Sequence, residues 1–352
     1  MKVLVTGGLG FIGSHTVVEL LDSNYDVVVV DNLSNSKIEV VDYIKEITGK
    51  DFIFYNEDLC NYDSVDKIFE KEKIECVMHF AGYKAVGESV KKPVMYYENN
   101  LLSTINILKA MEKYDCKKFI FSSSATVYGN PDVLPITEDC KVGGTTNPYG
   151  TTKLMIERIL ADYVIAHEDS SVIVLRYFNP IGAHKSGLIG EDPKGIPNNL
   201  MPYIVRVANK ELEILSIFGN DYDTVDGTGV RDYIHVVDLA KGHIAAIKKL
   251  NDNGIFFYNL GTGTGYSVLE IVNTFIKVNN VDVPYKIVGR REGDIAACYA
   301  DSSKALKELG WKAELGIEDM CRDSYNYVVN YKKNGEWCAS WKYYYIQKIL
   351  KL

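Results

Sequence analysis

Paired cysteines are missing from this chain. Its seven cysteines, Cys60, Cys76, Cys116, Cys140, Cys298, Cys321 and Cys338, are odd in number, irregularly spaced and free of any C-x-x-C pair. That argues against a disulfide framework and a zinc site, and scattered thiols suit a reducing cytosol. A surplus of basic residues is missing too: 39 Lys and Arg stand against 47 Asp and Glu, a net charge of −8. No nucleic-acid face is expected from that balance, so an anionic ligand must be met by individually placed arginines. No run of about 20 apolar residues occurs, and no membrane span is expected. Met1 and Lys2 lead at once into a strand-like run without the regions of a signal peptide. A cytoplasmic protein is expected. Internal repeats and low-complexity tracts are also lacking.

What is present is an ordinary globular composition, 47 % hydrophobic and 24 % charged, in 352 residues. Two domains are the natural expectation at that length. Val3 to Val5, Asp26 to Val30, Cys76 to Phe80, Lys118 to Phe121 and Val172 to Leu175 are short apolar runs that read as buried strands. Ser14 to Leu21, Leu101 to Met111 and Thr151 to Ala166 read as helices between them. Strands alternating with helices imply a parallel, doubly wound sheet. After about Asn179 the texture changes. Gly182 to Pro197 is rich in Gly, Pro and Lys and reads as loop. Later segments mix short strands and helices. The expected fold is α/β: a Rossmann-type doubly wound sheet in residues 1–178, then a smaller mixed α/β substrate domain in 179–352. Residues 232–250 read as a helix that packs back on the first domain. Residues 338–352 form an atypical aromatic, basic tail.

Gly7, Gly10 and Gly13 form a G-x-x-G-x-x-G loop between the first strand and the first helix. A tight turn and a close backbone approach to pyrophosphate both exclude side chains. The helix N-terminus then offers free N–H groups and a positive dipole end. Asp31 closes the second strand, 18 residues after Gly13. A carboxylate there accepts from ribose hydroxyls and repels a 2′-phosphate, which favours NAD over NADP. Asp58, at the end of F-I-F-Y-N-E-D, is placed for an adenine contact. Phe80, Ala81 and Gly82 follow the next strand and let the backbone approach a ligand. Lys84 lies within reach of cofactor or phosphate, and Asn99 is a candidate polar contact.

Tyr149 and Lys153 form a Y-x-x-x-K pair opening a helix, on one face. The Lys153 ammonium is expected beside the Tyr149 phenol, where a cation favours phenolate and lowers a pKa normally near 10. That would make a base for neutral pH. Ser124 follows the fourth strand, at the crevice end of a doubly wound sheet, and its hydroxyl can hold a substrate oxygen.

Together these residues resemble the extended short-chain dehydrogenase/reductase superfamily, and within it the UDP-galactose 4-epimerase family. The similarity runs from Lys2 to about Trp337. It is carried by V-T-G-G-L-G-F-I-G-S-H (Val5 to His15), H-F-A-G-Y-K-A-V-G-E-S (His79 to Ser89), S-S-S-A-T-V-Y-G (Ser122 to Gly129), L-R-Y-F-N-P-I-G-A-H (Leu175 to His184) and G-T-G-V-R-D-Y-I-H-V-V-D-L-A (Gly227 to Ala240). The resemblance implies tightly held NAD and transient oxidation at carbon 4 of a UDP-hexose. Tyr149 would serve as base, Ser124 would position the hydroxyl, and Lys153 would hold the nicotinamide ribose and tune Tyr149. It adds Phe11, Ile12, Asn32, Asn35, Ser36, Leu59 and Phe178 to the cofactor contacts.

On the substrate side, a diphosphate calls for arginine forks, and Arg231 and Arg291 match the family pattern. Phe218 is placed to stack on uracil. Asn179, Asn199, Leu200, Tyr233 and Asp294 fill further family positions, and Tyr177 is expected to wall the sugar pocket. Cys298 stands where epimerases restricted to plain hexoses carry tyrosine. The resemblance therefore implies space for a 2-acetamido group and use of UDP-GlcNAc and UDP-GalNAc as well. It also implies a homodimer through helices near Ser89 to Met111 and Thr151 to His167. A 4,6-dehydratase would need an acidic pair just before V-Y-G, where this chain has Ala125 and Thr126. Epimerases of uronate or pentose nucleotides share the same site. A catalytically silent NAD-binding sensor would be expected to have lost Tyr149 or Lys153.

Overall fold

Valine-rich runs with no polar face form parallel strands only if helices cover the sheet on both sides, and the chain supplies them. The structure, a computed structural model, describes residues 1–192, 199–291 and 294–333. In the first half β1 (Lys2–Thr6), β2 (Asp26–Val30), β3 (Ile53–Tyr55), β4 (Cys76–His79), β5 (Lys118–Ser124) and β6 (Ser171–Tyr177) alternate with helices. These are α1 (Phe11–Asp22), α2 (Val40–Thr48), α3 (Tyr62–Glu72), the pair α4 (Val86–Lys91) and α5 (Pro93–Lys113), and α6 (Pro148–Ala166). The second half contains β7 (Asn179–Ile181), α7 (Leu200–Ala208), β8 (Leu215–Phe218), β9 (Val230–His235), α8 (Val236–Ile247), β10 (Gly254–Leu260), β11 (Gly265–Ser267), α9 (Val268–Asn279), β12 (Tyr285–Val288), β13 (Ala297–Cys298), α10 (Ser303–Leu309) and α11 (Ile317–Lys333).

Among the described residues, seven parallel strands make the main sheet in the order β10-β6-β5-β4-β1-β2-β3. The chain winds outward from β1 in one direction and from β4 in the other. That reversal leaves a crevice at the carboxyl ends of β1 and β4, where doubly wound sheets take ligands. Successive residues of each strand feed opposite cores, as a period of two demands. Val3, Val5, Val27 and Val29 pack with Leu20 of α1 and Leu239 of α8. Leu4, Val28 and Val30 pack with Phe69 of α3, Ile107 of α5 and Ile156 of α6. A separate core gathers Ile181, Ile204, Leu215, Phe275 and Met320.

Two expectations are corrected. Residues 232–235 are not helical: β9 holds Asp232 to His235 in extended pairing with β11 at Asp232 and with β7 from Tyr233 to His235. The helix starts only at Val236, capped by His235, whose Nδ1 accepts from the Val237 amide at 3.1 Å. The Tyr-Ile-His-Val-Val run suits either state by pattern, and pairing partners distant in sequence decide it. The break expected at 178 does not divide the sheet either. β10 pairs with β6 from Gly254↔Ser171 to Leu260↔Tyr177, so the second half supplies the seventh strand. α8 packs against α1. Of the Gly182 to Pro197 loop, 182–192 carry no helix or strand. Residues 193–197, the tail 338–352 and Cys338 lie outside the described residues.

Candidate active site

The glycine loop sits at the end of β1, facing the crevice. Gly7 has φ +65°, and a Cβ there would meet the Ala81 amide nitrogen at 2.9 Å. A Cβ on Gly13 would lie 2.2 Å from the Gly7 carbonyl oxygen, so α1 packs directly on the loop. Gly10 is different: a Cβ there would meet only the Gly7 oxygen, at 3.2 Å. The space in front of Gly10 is therefore open. Gly10 is also the N-cap of α1, with no side-chain cap. The first-turn amides of Phe11, Ile12 and Gly13 thus face the crevice with the positive end of the helix dipole, which suits a pyrophosphate.

Asp31 is buried at the end of β2. Its Oδ1 accepts from the Leu33 amide at 3.0 Å and the Ser36 hydroxyl at 2.7 Å, and its Oδ2 from the Leu9 amide at 3.1 Å. The loop and the acid are thus one hydrogen-bonded unit, and Oδ2 keeps capacity for another donor. Asn32 and Asp58 lie beside it, 3.4 Å apart, both exposed. Asn35 is exposed, whereas Leu59 is buried in the core. Phe80, Ala81 and Gly82 follow β4, and the Ala81 amide donates to Thr6 Oγ1 at 3.3 Å. Lys84 pairs with Glu191 at 3.2 Å and lies 5.7 Å from the Phe11 ring centre. Asn99 donates to Asn100 Oδ1 at 3.0 Å and accepts from the Cys60 thiol. The bare loop, uncapped amides and buried acid fit NAD.

α6 begins where Asn147 Oδ1 accepts from the Gly150 amide at 2.9 Å, with Pro148 in its first turn. This cap fixes Tyr149 at the mouth of the crevice. The Ser124 hydroxyl accepts from the Thr126 amide at 3.2 Å and lies near the Tyr149 phenol. The expected ammonium–phenol contact is corrected. Lys153 Nζ donates to the Ser122 carbonyl at 2.6 Å, 4.8 Å from the Phe121 ring centre and 5.9 Å from that of Tyr149. Burial raises the Tyr149 pKa, and only the neighbouring Ser124 hydroxyl works the other way. Burial lowers that of Lys153 to about 8, against a raising influence from Glu157. The main-chain acceptor has taken the ammonium that the helical spacing would have given to the phenol.

Arg231, Tyr233, Asn179, Asp294 and Cys298 gather around β9. Arg231 Nη1 donates to the carbonyls of Val230 and Ile295, at 2.8 and 2.9 Å, and Nη2 to Asp294 at 3.1 Å. Three of its five donors are used, leaving two to point elsewhere. Cys298 pairs with Arg231 in the β13–β9 register, and Asn179 with Tyr233 in β7–β9. Cys298 also packs in a cluster with Val127, Tyr128 and Phe178, which ties this region to the end of β5. Burial pushes its thiol up to about 11, so it behaves as an apolar group. The Arg291 guanidinium lies 4.3 Å from the Phe218 ring centre, so one face of that ring is already covered. Asn199 caps no helix with its side chain; it donates to Glu191 at 3.0 Å. Leu200 opens α7, half-buried. Tyr177 is 5 % exposed and packs on His243 at 5.6 Å between ring centres, so it is a core residue at the strand end rather than a pocket wall.

Sequence reasoning passed over Ser122, Glu157, Arg176 and Glu191. Glu157 continues the Tyr149–Lys153 face of α6 by one more turn, a signal that was available. Arg176 stood inside a quoted string without a role. Ser122 acts through its main chain, and Glu191 through distant partners, so neither has a local signature.

A family model described as GDP-mannose 4,6 dehydratase matches residues 4–324. The UDP-glucose 4-epimerase of Bacillus subtilis is 62 % identical over 328 residues, 93 % of this chain and 96 % of that protein. The crystal structure of UDP-glucose 4-epimerase from Bifidobacterium longum in complex with NAD+ and UDP has 57 % identity and TM-score 0.91, covering 94 % of this chain and 98 % of that one. The Stenotrophomonas maltophila enzyme, with bound NAD and formylated UDP-arabinopyranose, has 47 % identity and TM-score 0.92, covering 95 % and 100 %.

Proposed function

This chain belongs to the UDP-glucose 4-epimerase family, within the wider family of the GDP-mannose 4,6 dehydratase model, and on that footing we propose that it interconverts UDP-glucose and UDP-galactose at Tyr149, Lys153 and Ser124. When bound, NAD supplies a reversible hydride acceptor at carbon 4 of the sugar, so no net oxidation results. The loop of Gly7, Gly10 and Gly13 with the first-turn amides of α1 holds its pyrophosphate, and Asp31 a ribose. Ser124 holds the 4-hydroxyl against Tyr149, whose phenolate takes the proton. Tyr149 returns that proton once the 4-keto sugar has turned about its diphosphate linkage and presented the opposite face. Lys153 and the positive nicotinamide together offset the burial that raises the Tyr149 pKa. The free donors of Arg231, together with Arg291, bind the diphosphate, and Phe218 stacks on uracil.

The observation that carries this reading is the placing of Ser124, Tyr149 and Lys153 together at the crevice end of β5, on the sheet that carries the glycine loop at the end of β1. Elimination of water needs a further acid–base pair, and Ala125 and Thr126 offer no carboxylate. Cys298 lacks the volume of a tyrosine, which supports UDP-GlcNAc and UDP-GalNAc as further substrates.

Val94 and Leu102 of α5 and Met155 and Ile165 of α6 are exposed apolar residues. They support a homodimer across these two helices. Among the described residues no helix is long and apolar enough to cross a membrane, and a cytoplasmic location fits the free thiols.

The test is proton NMR of the purified protein with UDP-galactose and, separately, UDP-GalNAc. Equilibration of both to their gluco forms supports the whole reading. Turnover of UDP-galactose alone removes the acetamido sugars. No change in either, with NAD bound, moves the assignment to uronate or pentose nucleotides. Light scattering of the same sample decides the dimer.

A further inference from the structure

One charged pair inside the first domain is not accounted for by the roles above. Glu157 and Arg176 are each 4 % exposed. Arg176 forks onto Glu157, Nε to Oε1 at 3.0 Å and Nη2 to Oε2 at 2.7 Å. Its Nη1 donates to the Tyr128 hydroxyl at 3.0 Å, which in turn donates to Asn259 Oδ1 at 2.7 Å. The guanidinium is sandwiched, 4.9 Å from the Tyr128 ring centre and 4.7 Å from that of Phe257. Ser123 completes the set by donating to Glu157 Oε1 at 2.6 Å. Burying two ions costs several kcal/mol each, and an apolar pair of similar volume would stabilise the fold at least as well. Stability alone therefore does not explain the pair.

Its position does. Tyr149, Lys153 and Glu157 occupy successive turns on one face of α6. Each faces one of three consecutive serines at the end of β5. Tyr149 lies near the Ser124 hydroxyl, Lys153 donates to the Ser122 carbonyl and Glu157 accepts from the Ser123 hydroxyl. Arg176 lies beside Ser123 in the β5–β6 register and reaches Glu157 from the neighbouring strand. The acid is thus fixed from both strands, one turn beyond the ammonium.

We infer that Glu157, clamped by Arg176 and Ser123, is a positioning residue that supplies the fixed negative charge holding the buried Lys153 ammonium charged and directed at Ser122. The inference rests on the role given to Lys153 above. The other groups facing Lys153 do not supply that charge. Tyr149 is a phenol whose pKa burial raises. His79 on β4 is neutral, its pKa lowered to about 3 by burial first and by Lys153 second. Tyr177 on β6 is a phenol pushed far up by burial. Burial brings Lys153 down to about 8, and Glu157 is the one group that acts against it.

The test follows the ε-carbon of 13C-lysine in the NAD-loaded protein through a pH titration, with the Lys153 signal assigned by its loss in Lys153→Met. Glu157→Gln, nearly isosteric, is expected to lower the Lys153 midpoint by about one pH unit, the lower end for losing an opposite charge nearby. Glu157→Asp restores most of it. In parallel, the alkaline limb of kcat for UDP-galactose moves down by the same interval while KM stays within about twofold. If the midpoint stays put in Glu157→Gln and kcat falls equally at every pH, the pair is only a structural clamp and the inference is overturned. Should Glu157→Gln not fold, Ser123→Ala is read the same way: a smaller downward move is expected, and a stationary midpoint overturns the idea. Loss of all turnover by the unaltered protein would strike the epimerase reading instead, and the NMR midpoint would still decide this one.

Discussion

Lys153 donates to the Ser122 carbonyl across 2.6 Å, while its ammonium stands 5.9 Å from the centre of the Tyr149 ring. The ammonium is thus committed to the main chain of β5 rather than to the phenol, and the group that works against the burial of Tyr149 is the Ser124 hydroxyl. Lys153 and Tyr149, one turn apart on α6, are each met by a serine at the end of β5.

That arrangement sets the pH dependence of stability. The Lys153 pKa is lowered from 10.5 to about 8, chiefly by burial. Below pH 8 the lysine is charged in both states, and its burial costs stability in full. Between pH 8 and 10.5 the unfolded chain binds the extra proton, so stability rises with pH and the cost fades. Its full size is roughly 3 kcal/mol. Lys153→Met removes this dependence and leaves the Ser122 carbonyl without its donor at every pH. Denaturant unfolding of the cofactor-free protein should show wild type gaining on Lys153→Met across that window. A constant difference from pH 7 to 10 would refute the lowered pKa.

Tyr149→Phe removes the proton carrier and little else, because the ring stays half-buried on α6. Turnover of UDP-galactose should fall by about 10²–10⁴-fold, the range for a lost general base. Thermal unfolding should shift by no more than a few degrees, and NAD should stay bound. Retention of more than about a tenth of the activity would remove Tyr149 from its role.

The glycine loop predicts two different failures. Gly13→Ala drives a methyl to 2.2 Å from the Gly7 carbonyl oxygen, which cannot move without breaking the loop. A loss above about 3 kcal/mol is expected, as for other severe overpacking. Gly10→Ala meets only one oxygen, at 3.2 Å, and occupies the open space before α1. Its unfolding should be nearly unchanged, while NAD binds about tenfold or more weaker, on the order of 1.4 kcal/mol. Calorimetry with and without NAD separates them; equal destabilisation by both substitutions contradicts the open cradle.

Cys298→Tyr tests substrate range. Its ring would enter the cluster of Val127, Tyr128 and Phe178 and the space beside Arg231. Turnover of UDP-GalNAc should disappear and that of UDP-galactose persist within a few-fold. Loss of both reactions together shows that Cys298 is packing alone.

How much of this was legible depends on the range of the interactions. Gly7, Gly10, Gly13 and Asp31 declared themselves by spacing, because one strand, one turn and one helix bring them together with no help from elsewhere. Tyr149 and Lys153 declared themselves by the pitch of α6. The Lys153 hydrogen bond did not, since its acceptor is a main-chain oxygen 31 residues away. Asp232 to His235 read as helix because apolar pattern alone does not separate a short strand from a helix segment. Only pairing with β7 and β11 settles it.

By itself, the sequence determined the doubly wound alternation, the glycine loop and the shared helical face of Tyr149 and Lys153, all of which are encoded in contacts within a turn or a strand–helix unit. Tertiary structure alone decided that β10 completes the sheet against β6, that Arg176 grips Glu157 from another strand, and that Cys298 lies level with Arg231. The physical reason is the same in each case. These partners are brought together by strand pairing across the sheet, and the order in which strands pair is chosen by the burial of the whole chain, not by any local run of residues.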